Sequence, residues 1–390
     1  MRRLLRGLGP NVVALGFASF FTDFGAELVV PLLPAFILSL GGTARTIGWI
    51  EGVADSLASI FRVVSGWLSD RLGRRKVFVL GGYGIASVAR PFFGLAGVAW
   101  HVGVVRIADR FGKGLRLAAR DALIADSSEP WARGKAFGFQ KAMDHFGATL
   151  GPLLAMLLLA RGWDERGVFF LTAIPAAMVL LVIAGFVRDI PAANPPAKLR
   201  LSLAPFDANF KWFLLTVTVF TLGNSSDLFI LLRATELGIP RHLVPLVWSG
   251  ICLVRALASI PGGMLSDRFD RRYVVIAGFA VYAAVYAGLA FAKTIPVFLV
   301  LVLVYGLYHA LAESVLRAIV ADLVPAHLRG TAFGMFHFCM GVAFLPASIV
   351  FGTIMHAHGP APAFLTGAAL AAIASAMMLR VRPRVPSPQS

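Results

Sequence analysis

The sequence predicts an all-α membrane protein, with twelve transmembrane helices in two pseudo-symmetric six-helix bundles. Three observations predict it. The chain is 58% hydrophobic and only 14% charged, whereas soluble domains hold about 45–50% apolar and about 25% charged residues. That much apolar surface cannot be hidden from water, so the solvent is lipid. Apolar stretches of about 20 residues, enough to cross a bilayer, recur along the chain. The chain also repeats itself at half its length. Gly66-Trp67-Leu68-Ser69-Asp70-Arg71-Leu72-Gly73-Arg74-Arg75 returns as Gly263-Met264-Leu265-Ser266-Asp267-Arg268-Phe269-Asp270-Arg271-Arg272, an offset of 263 − 66 = 197 in 390 residues. Arg133-Gly134-Lys135-Ala136-Phe137-Gly138 returns as Arg329-Gly330-Thr331-Ala332-Phe333-Gly334, at 329 − 133 = 196. Two separate segments with nearly one offset mean that the whole half is duplicated.

Read between Gly, Pro and charge clusters, the spans of the first half fall near 11–39, 47–69, 77–97, 101–124, 136–160 and 168–187. Those of the second half fall near 210–234, 242–266, 273–292, 296–321, 332–356 and 362–381. Residues 188–209 carry Pro191, Pro195, Pro196 and Pro205 and read as a cytoplasmic linker between bundles 1–187 and 210–390. Met1-Arg2-Arg3-Leu4-Leu5-Arg6 leads into a stretch long enough to span and lacking a small-residue cleavage site, so it reads as the first transmembrane helix rather than a cleaved signal.

The net charge is +16. In a soluble protein this surplus would suggest nucleic acid, but here the basic residues sit in short loops between apolar stretches, which excludes that partner. Arg71, Arg74, Arg75, Lys76, Arg268, Arg271 and Arg272 fall on one side, and Arg45, Arg161, Arg166, Arg241 and Lys293 on the other. With the remaining loops counted, the first side is much the richer, so it is cytoplasmic and both termini are inside. The expected location is a bacterial-type inner membrane, as a multi-pass monomer. Cys252 and Cys339 both lie in spans, so no disulfide framework is implied.

Half-chain duplication in so apolar a chain is the pattern of a two-lobed membrane transporter. The ten-residue repeat resembles motif A of the major facilitator superfamily, G-x-L-x-D-R-x-G-R-R. Gly66, Leu68, Asp70, Arg71, Gly73, Arg74 and Arg75 match, and the second copy departs only where Asp270 replaces the second glycine. Arg110-Phe111-Gly112-Lys113-Gly114 resembles motif B, R-x-x-Q-G, with Lys113 in place of glutamine. Gly147-Ala148-Thr149-Leu150-Gly151-Pro152 resembles motif C of the proton-coupled efflux antiporters, although Leu154, Ala155 and Met156 follow where that branch tends to have glycine. Close helix packing is the alternative reading of Gly147 and Gly151. The resemblance implies alternating access, with motif A as a gate latch. An aspartate at the end of the second helix can accept from a neighbouring helix N-terminus and pair with arginine. That assigns gating to Gly66, Asp70, Arg71, Arg74 and Arg75, to Asp267, Arg268 and Arg271, and to Gly147, Gly151 and Pro152; simple anchoring of a basic loop is the other reading.

The fourth segment holds Arg106, Asp109, Arg110, Lys113, Arg116 and Arg120, of which Arg106, Arg110, Lys113 and Arg120, at spacings 4, 3 and 7, share one helical face. A charge at the bilayer centre costs about 2.5–3.5 kcal/mol on insertion scales, so the stripe should face an internal aqueous cavity. Several cations on a cavity wall favour an anionic group. Arg106, Arg110 and Lys113 are therefore candidate substrate contacts, with Asp109 able to offset Lys113 four residues on. Arg116 and Arg120 lie nearer the cytoplasm and suit gating. The alternative is that carboxylates such as Asp23, Glu27 and Glu313 satisfy the stripe internally.

Asp23 and Glu27 share a face of the first segment; Asn224 and Asp227 lie on the seventh; His309, Glu313 and Arg317 share a face of the tenth. The resemblance places segments one, four, seven and ten around a central cavity, which adds Asn224, Asp227, His309, Glu313 and Arg317 to the substrate candidates. Burial disfavours an ionised carboxylate and nearby cations favour it, so Asp23, Glu27, Asp144 and Glu313 are candidates for carrying a coupling proton. His309, Glu313, Asp23 and Asp227 are ligand types, but without metal-site spacing, so no metal and no cofactor is expected. No nucleophile motif, phosphate loop or soluble signalling domain is recognisable, which argues against an enzyme, an ATP-driven pump or a receptor. The expectation is proton-coupled export of a small anionic organic compound or metal chelate. A lipophilic-drug pump, suggested by 31 phenylalanines, and a proton-coupled uptake symporter are the alternatives.

Overall fold

The computed structural model describes residues 9–128, 133–190, 203–325 and 328–382, without the side chains of Asp70, Arg133, Ile260, Asp267 and Ser314. Most of the expected linker, the basic N-terminus and the side chains of the two motif aspartates therefore lie outside what is described. Among the described residues every regular element is helical. In the first half these are α1 (Pro10–Val29), α2 (Leu33–Ser39), α3 (Ala44–Leu72), α4 (Arg75–Ala89), α5 (Ala99–Asp126), α6 (Arg133–Ala160), α7 (Glu165–Leu171) and α8 (Ala173–Phe186). In the second they are α9 (Ala208–Gly223), α10 (Leu228–Glu236), α11 (Val244–Arg268), α12 (Arg271–Phe291), α13 (Ile295–Leu323), α14 (Arg329–His358) and α15 (Pro360–Met378).

Ten stretches among the described residues are long and apolar enough to cross a membrane. The helices α3 and α5, at 29 and 28 residues, have the length but not the apolarity, because both carry charges inside the span.

Four expected spans are interrupted rather than continuous. Residues 11–39 form α1, a 3-10 turn at Val30–Leu32, and α2; Pro31 and Pro34 lack the N–H groups that would carry the α pattern through. Arg90–Leu95, with Pro91 at its start, is likewise a 3-10 turn after α4. The sixth span breaks at Thr172 between α7 and α8. The seventh breaks at Asn224-Ser225-Ser226-Asp227, four residues whose short polar side chains compete with the helix for backbone groups. Tyr282 Oη donates to the freed Gly223 carbonyl at 3.0 Å, and Ser226 Oγ accepts from Leu228 N at 3.3 Å.

Two compact units emerge. Unit one comprises Met1–Gly42, Val53–Lys198 and Pro240–Ser249; unit two comprises Thr43–Gly52, Leu199–Ile239 and Gly250–Ser390. Within unit one, α1 lies along α6 and α8, and α4 along α5 and α8. Within unit two, α9 lies along α14 and α15, and α12 along α13 and α15. The same packing scheme occurs twice. Gly147 and Gly151 let α6 press on α1: a Cβ at Gly147 would sit 2.4 Å from Phe20 O, and one at Gly151 would sit 2.5 Å from Phe24 O. Each unit is closed by an asparagine at the start of its first helix. Asn11 Oδ1 accepts from Arg188 N at 2.8 Å and its Nδ2 donates to Arg188 O at 3.0 Å. Asn209 makes the same pair with Arg382, at 3.0 and 2.9 Å.

Candidate functional site

The α5 stripe is built into unit one, but its charges separate into distinct groups. Asp109 does not serve Lys113. It accepts from Arg90 Nε at 2.8 Å and faces Arg106 Nη1 at 3.7 Å. Arg90 Nη1 in turn donates to Thr22 O on α1 at 2.7 Å. Arg106 is only 2% exposed, so it belongs to a packed ion network tying α1, α4 and α5 together, since a buried charge needs such pairing. Arg110 meets a different carboxylate, Asp55 of α3, with Nε 3.1 Å from Oδ1. Lys113 lies within electrostatic reach of Asp23 and Asp55.

Farther along α5, Arg116 stacks 4.5 Å over the Tyr83 ring, and its Nη2 lies 4.0 Å from Asp23 Oδ1. Arg120 Nε and Nη2 donate to Asp121 Oδ1 at 3.0 and 2.9 Å, and its Nη1 donates to Ser19 Oγ at 3.3 Å. Ser19 also bonds Tyr83 Oη at 3.1 Å and accepts from Gln140 Nε2 at 3.1 Å. Asp144 on α6 stands 3.9 Å from Arg120 and interacts electrostatically with Asp23. Glu27, four residues beyond Asp23, accepts from Trp248 Nε1.

Unit two solves the same interior differently. Asp227, at the break between α9 and α10, accepts from Arg255 Nη2 at 2.9 Å and from Tyr305 Oη at 2.6 Å. Asn224 Nδ2 donates to Tyr308 Oη at 3.0 Å, and Ser226 Oγ donates to Glu51 Oε2 at 3.1 Å. Around them stack Tyr282, Tyr286, Tyr305 and Tyr308, with the His309 ring 4.4 Å from Tyr308. Glu313, 58% exposed, lies 3.6 Å from His309 and 3.4 Å from Arg317. A helix broken within the membrane exposes backbone dipoles and is a recurrent feature of transporter sites. Both units have one at the same place: Val30 opens the first interruption and Asp227 ends the second, 227 − 30 = 197 residues apart.

At the motif ends, Arg75 pairs with Asp126 in unit one, and Arg271 with Asp322 at 2.6 Å in unit two. Arg71 lies 5.2 Å over Trp67, and Arg74 and Arg268 are exposed. A Cβ at Gly66 would come 3.0 Å from Ala118 Cβ. Pro152 is carried inside α6.

Sequence reasoning missed the partners Asp55, Asp126 and Asp322 and the tyrosine cluster. For the second and third a signal existed: 322 − 126 = 196, the offset of the other repeats. Among the described residues no group of three or more His, Cys, Asp or Glu could hold a metal ion.

A family profile described as Major Facilitator Superfamily matches residues 15–233 and 212–390. An uncharacterized MFS-type transporter of Methanocaldococcus jannaschii is 33% identical over 382 residues, covering 96% of this chain and 95% of that one. The multidrug resistance protein MdtG of Proteus mirabilis is 27% identical over 166 residues, or 42% of this chain and 41% of that protein. The solved structure of the nucleoside transporter NupG superposes with a TM-score of 0.80 at 14% identity, over 95% of this chain and 100% of that chain.

Proposed function

The chain belongs to the major facilitator superfamily, and from that premise we propose that it exports a small anionic organic compound, free or as a metal chelate, by proton-coupled alternating access. It is a transporter and not an enzyme. The observation that carries the anionic reading is the cationic wall of α5, where Arg110 and Lys113 are partly accessible and neither belongs to the buried Arg90–Asp109–Arg106 network. Asn224, Asp227, His309, Glu313 and Arg317 contribute the polar contacts of unit two. Asp23, Glu27, Asp144 and Glu313 carry the proton.

The remaining architecture belongs to the same proposal. Twelve spans form bundles 1–187 and 210–390 around a cytoplasmic linker, in a monomer of the inner membrane with both termini inside. The motif residues Gly66, Asp70, Arg71, Arg74, Arg75, Asp267, Arg268 and Arg271 govern opening, and Gly147, Gly151 and Pro152 set the packing of α6. Outward direction is supported by the likeness of Gly147–Pro152 to the efflux motif. The partial similarity to MdtG supports the second reading, drug efflux.

A thermal-shift screen at about pH 5.5 and about pH 8 decides between them, because a ligand that binds the folded state raises its apparent stability. Organic anions and chelates are expected to stabilise the protein, and Arg110→Ala to abolish the effect. Stabilisation by lipophilic cations alone would replace the anionic reading with drug efflux.

A further inference from the structure

Arg116 is a buried charge with unused donors. Its side chain is 3% exposed, yet Nε and Nη1 have no hydrogen-bond partner. Its nearest carboxylate, Asp23, is 4.0 Å away, at the limit of an ion pair, and touches only Nη2. Buried polar groups left unpaired are costly, and a guanidinium with two unused donors presents the flat fork that carboxylates and phosphates occupy in bidentate fashion. The Tyr83 ring fixes the plane of that fork from one side. Lys113, one turn earlier on α5, adds a second cation that also faces Asp23. Asp23 itself is 28% exposed, so the cluster is open to solvent.

Arg116 thus stands between two possible anions, the Asp23 carboxylate and one brought by a solute. We propose that the solute's anionic group binds Arg116 together with Lys113 while a proton occupies Asp23, so that anion and proton are held at the same time. The inference rests on the anionic reading above and adds to it the receiving residue and the sense of coupling. With Asp23 ionised, an incoming anion meets a like charge beside the open donors of Arg116. With Asp23 neutral, Arg116 loses its nearest carboxylate and Lys113 is left with Asp55, which Arg110 also engages, and the anion supplies the missing charge. The linkage is reciprocal: a bound anion favours the proton as much as the proton favours the anion. Solute and proton then cross in the same direction, unlike the exchange of the antiporters that Gly147–Pro152 resembles, and export is driven by an outward solute gradient that carries both out.

The groups around Asp23 are few. Glu27 lies on its own helix; Lys113 and Arg116 face it from α5; Asp144, which Arg120 approaches at 3.9 Å, faces it from α6; Tyr83 lies on α4 behind Arg116. His145 neighbours Asp144 in sequence.

The test is binding of benzenesulfonate to the purified full chain by calorimetry from about pH 5.5 to about pH 8. A sulfonate keeps its charge throughout, so any pH dependence belongs to the protein. Wild-type affinity is expected to fall as pH rises, by up to about tenfold per pH unit, the limit for one linked proton. Asp23→Asn is expected to bind with pH-independent affinity. Arg116→Gln is expected to lose at least about tenfold, with partial rescue in Arg116→Lys. Asp144→Asn and His145→Gln are expected to keep the wild-type slope.

A flat wild-type profile, affinity that rises with pH, or undiminished binding in Arg116→Gln would overturn this inference and leave the anionic reading standing. If Arg116→Gln does not fold, Asp23→Asn decides alone, because it retains every cation: a wild-type slope in it overturns the inference. Failure of benzenesulfonate and of every anion in the screen to bind at any pH would overturn both.

Discussion

The two units share a frame and differ in what fills it. The asparagine clasp, the arginine–aspartate pair at the motif end, the packing scheme and an interruption of the first span occur in both units. The interiors then diverge at corresponding positions. Arg90 and Asp109, joined at 2.8 Å in unit one, correspond to Tyr286 and Tyr305 in unit two, since 286 − 90 = 196 and 305 − 109 = 196. Those tyrosines are ring neighbours with centroids 6.1 Å apart. Lys113 corresponds in the same way to His309, at 309 − 113 = 196. A salt bridge has been exchanged for a ring contact across one helix pair without altering the helices that carry it. The exchange teaches that the frame is set by small residues and by end contacts. The centre is free to take either charge or aromatic surface.

The largest effect is expected from breaking the charged centre. Asp109→Asn removes the carboxylate that Arg90 and Arg106 share, and removing one partner of a buried ion pair costs about 3–5 kcal/mol. Thermal unfolding in detergent should show a collapse in stability. An ordinary surface-sized shift would mean that water compensates these arginines. Replacing Arg90 and Asp109 together by leucine should do less harm than the single change, because no unpaired charge remains at that couple.

A smaller effect is expected from the frame. Gly147→Ala drives a methyl group to 2.4 Å from the Phe20 carbonyl, an overpacking expected to cost about 1–3 kcal/mol. The equivalent residue in unit two, at 147 + 196 = 343, is the buried Ala343, so unit two accepts a Cβ there. Equal tolerance at both positions would show that the helix contact is not what demands the glycine.

Asn11→Ala removes three hydrogen bonds from a buried asparagine, two to the Arg188 backbone and one to Ser127 Oγ, and should cost about 1–2 kcal/mol. Asn209→Ala, at the more exposed copy, should cost less. The reverse order would overturn burial as the reason. The smallest change is Tyr305→Phe, which removes one hydrogen bond to Asp227 while leaving Arg255 in place; it should cost about 1 kcal/mol. A loss as large as that of Asp109→Asn would show that the aromatic centre relies on its hydroxyl groups as heavily as unit one relies on its charges.

Membrane residence and duplication were legible because they are statistical properties of many residues. The helix interruptions were not. Asn224-Ser225-Ser226-Asp227 is short and polar enough to break a helix, yet it sits inside a stretch whose average remains apolar, and averaging hides it. The expected service of Lys113 by Asp109 failed because a four-residue spacing places two side chains on one face but does not state which neighbour competes. Arg90, nineteen residues earlier in the chain, wins through a direct contact of 2.8 Å.

The sequence by itself determined the lipid solvent, the helical class, the half-chain repeat and the family, because hydrophobicity, period and motif spacing are written in order along the chain. Only the tertiary structure decided which cations are neutralised and which keep unused donors. Asp55 reaches Arg110 from another helix, and Arg116 is left with Tyr83 on one side and a distant Asp23 on the other. Electrostatic partnership falls with distance and burial in three dimensions, and neither is encoded in the separation of residues along the chain.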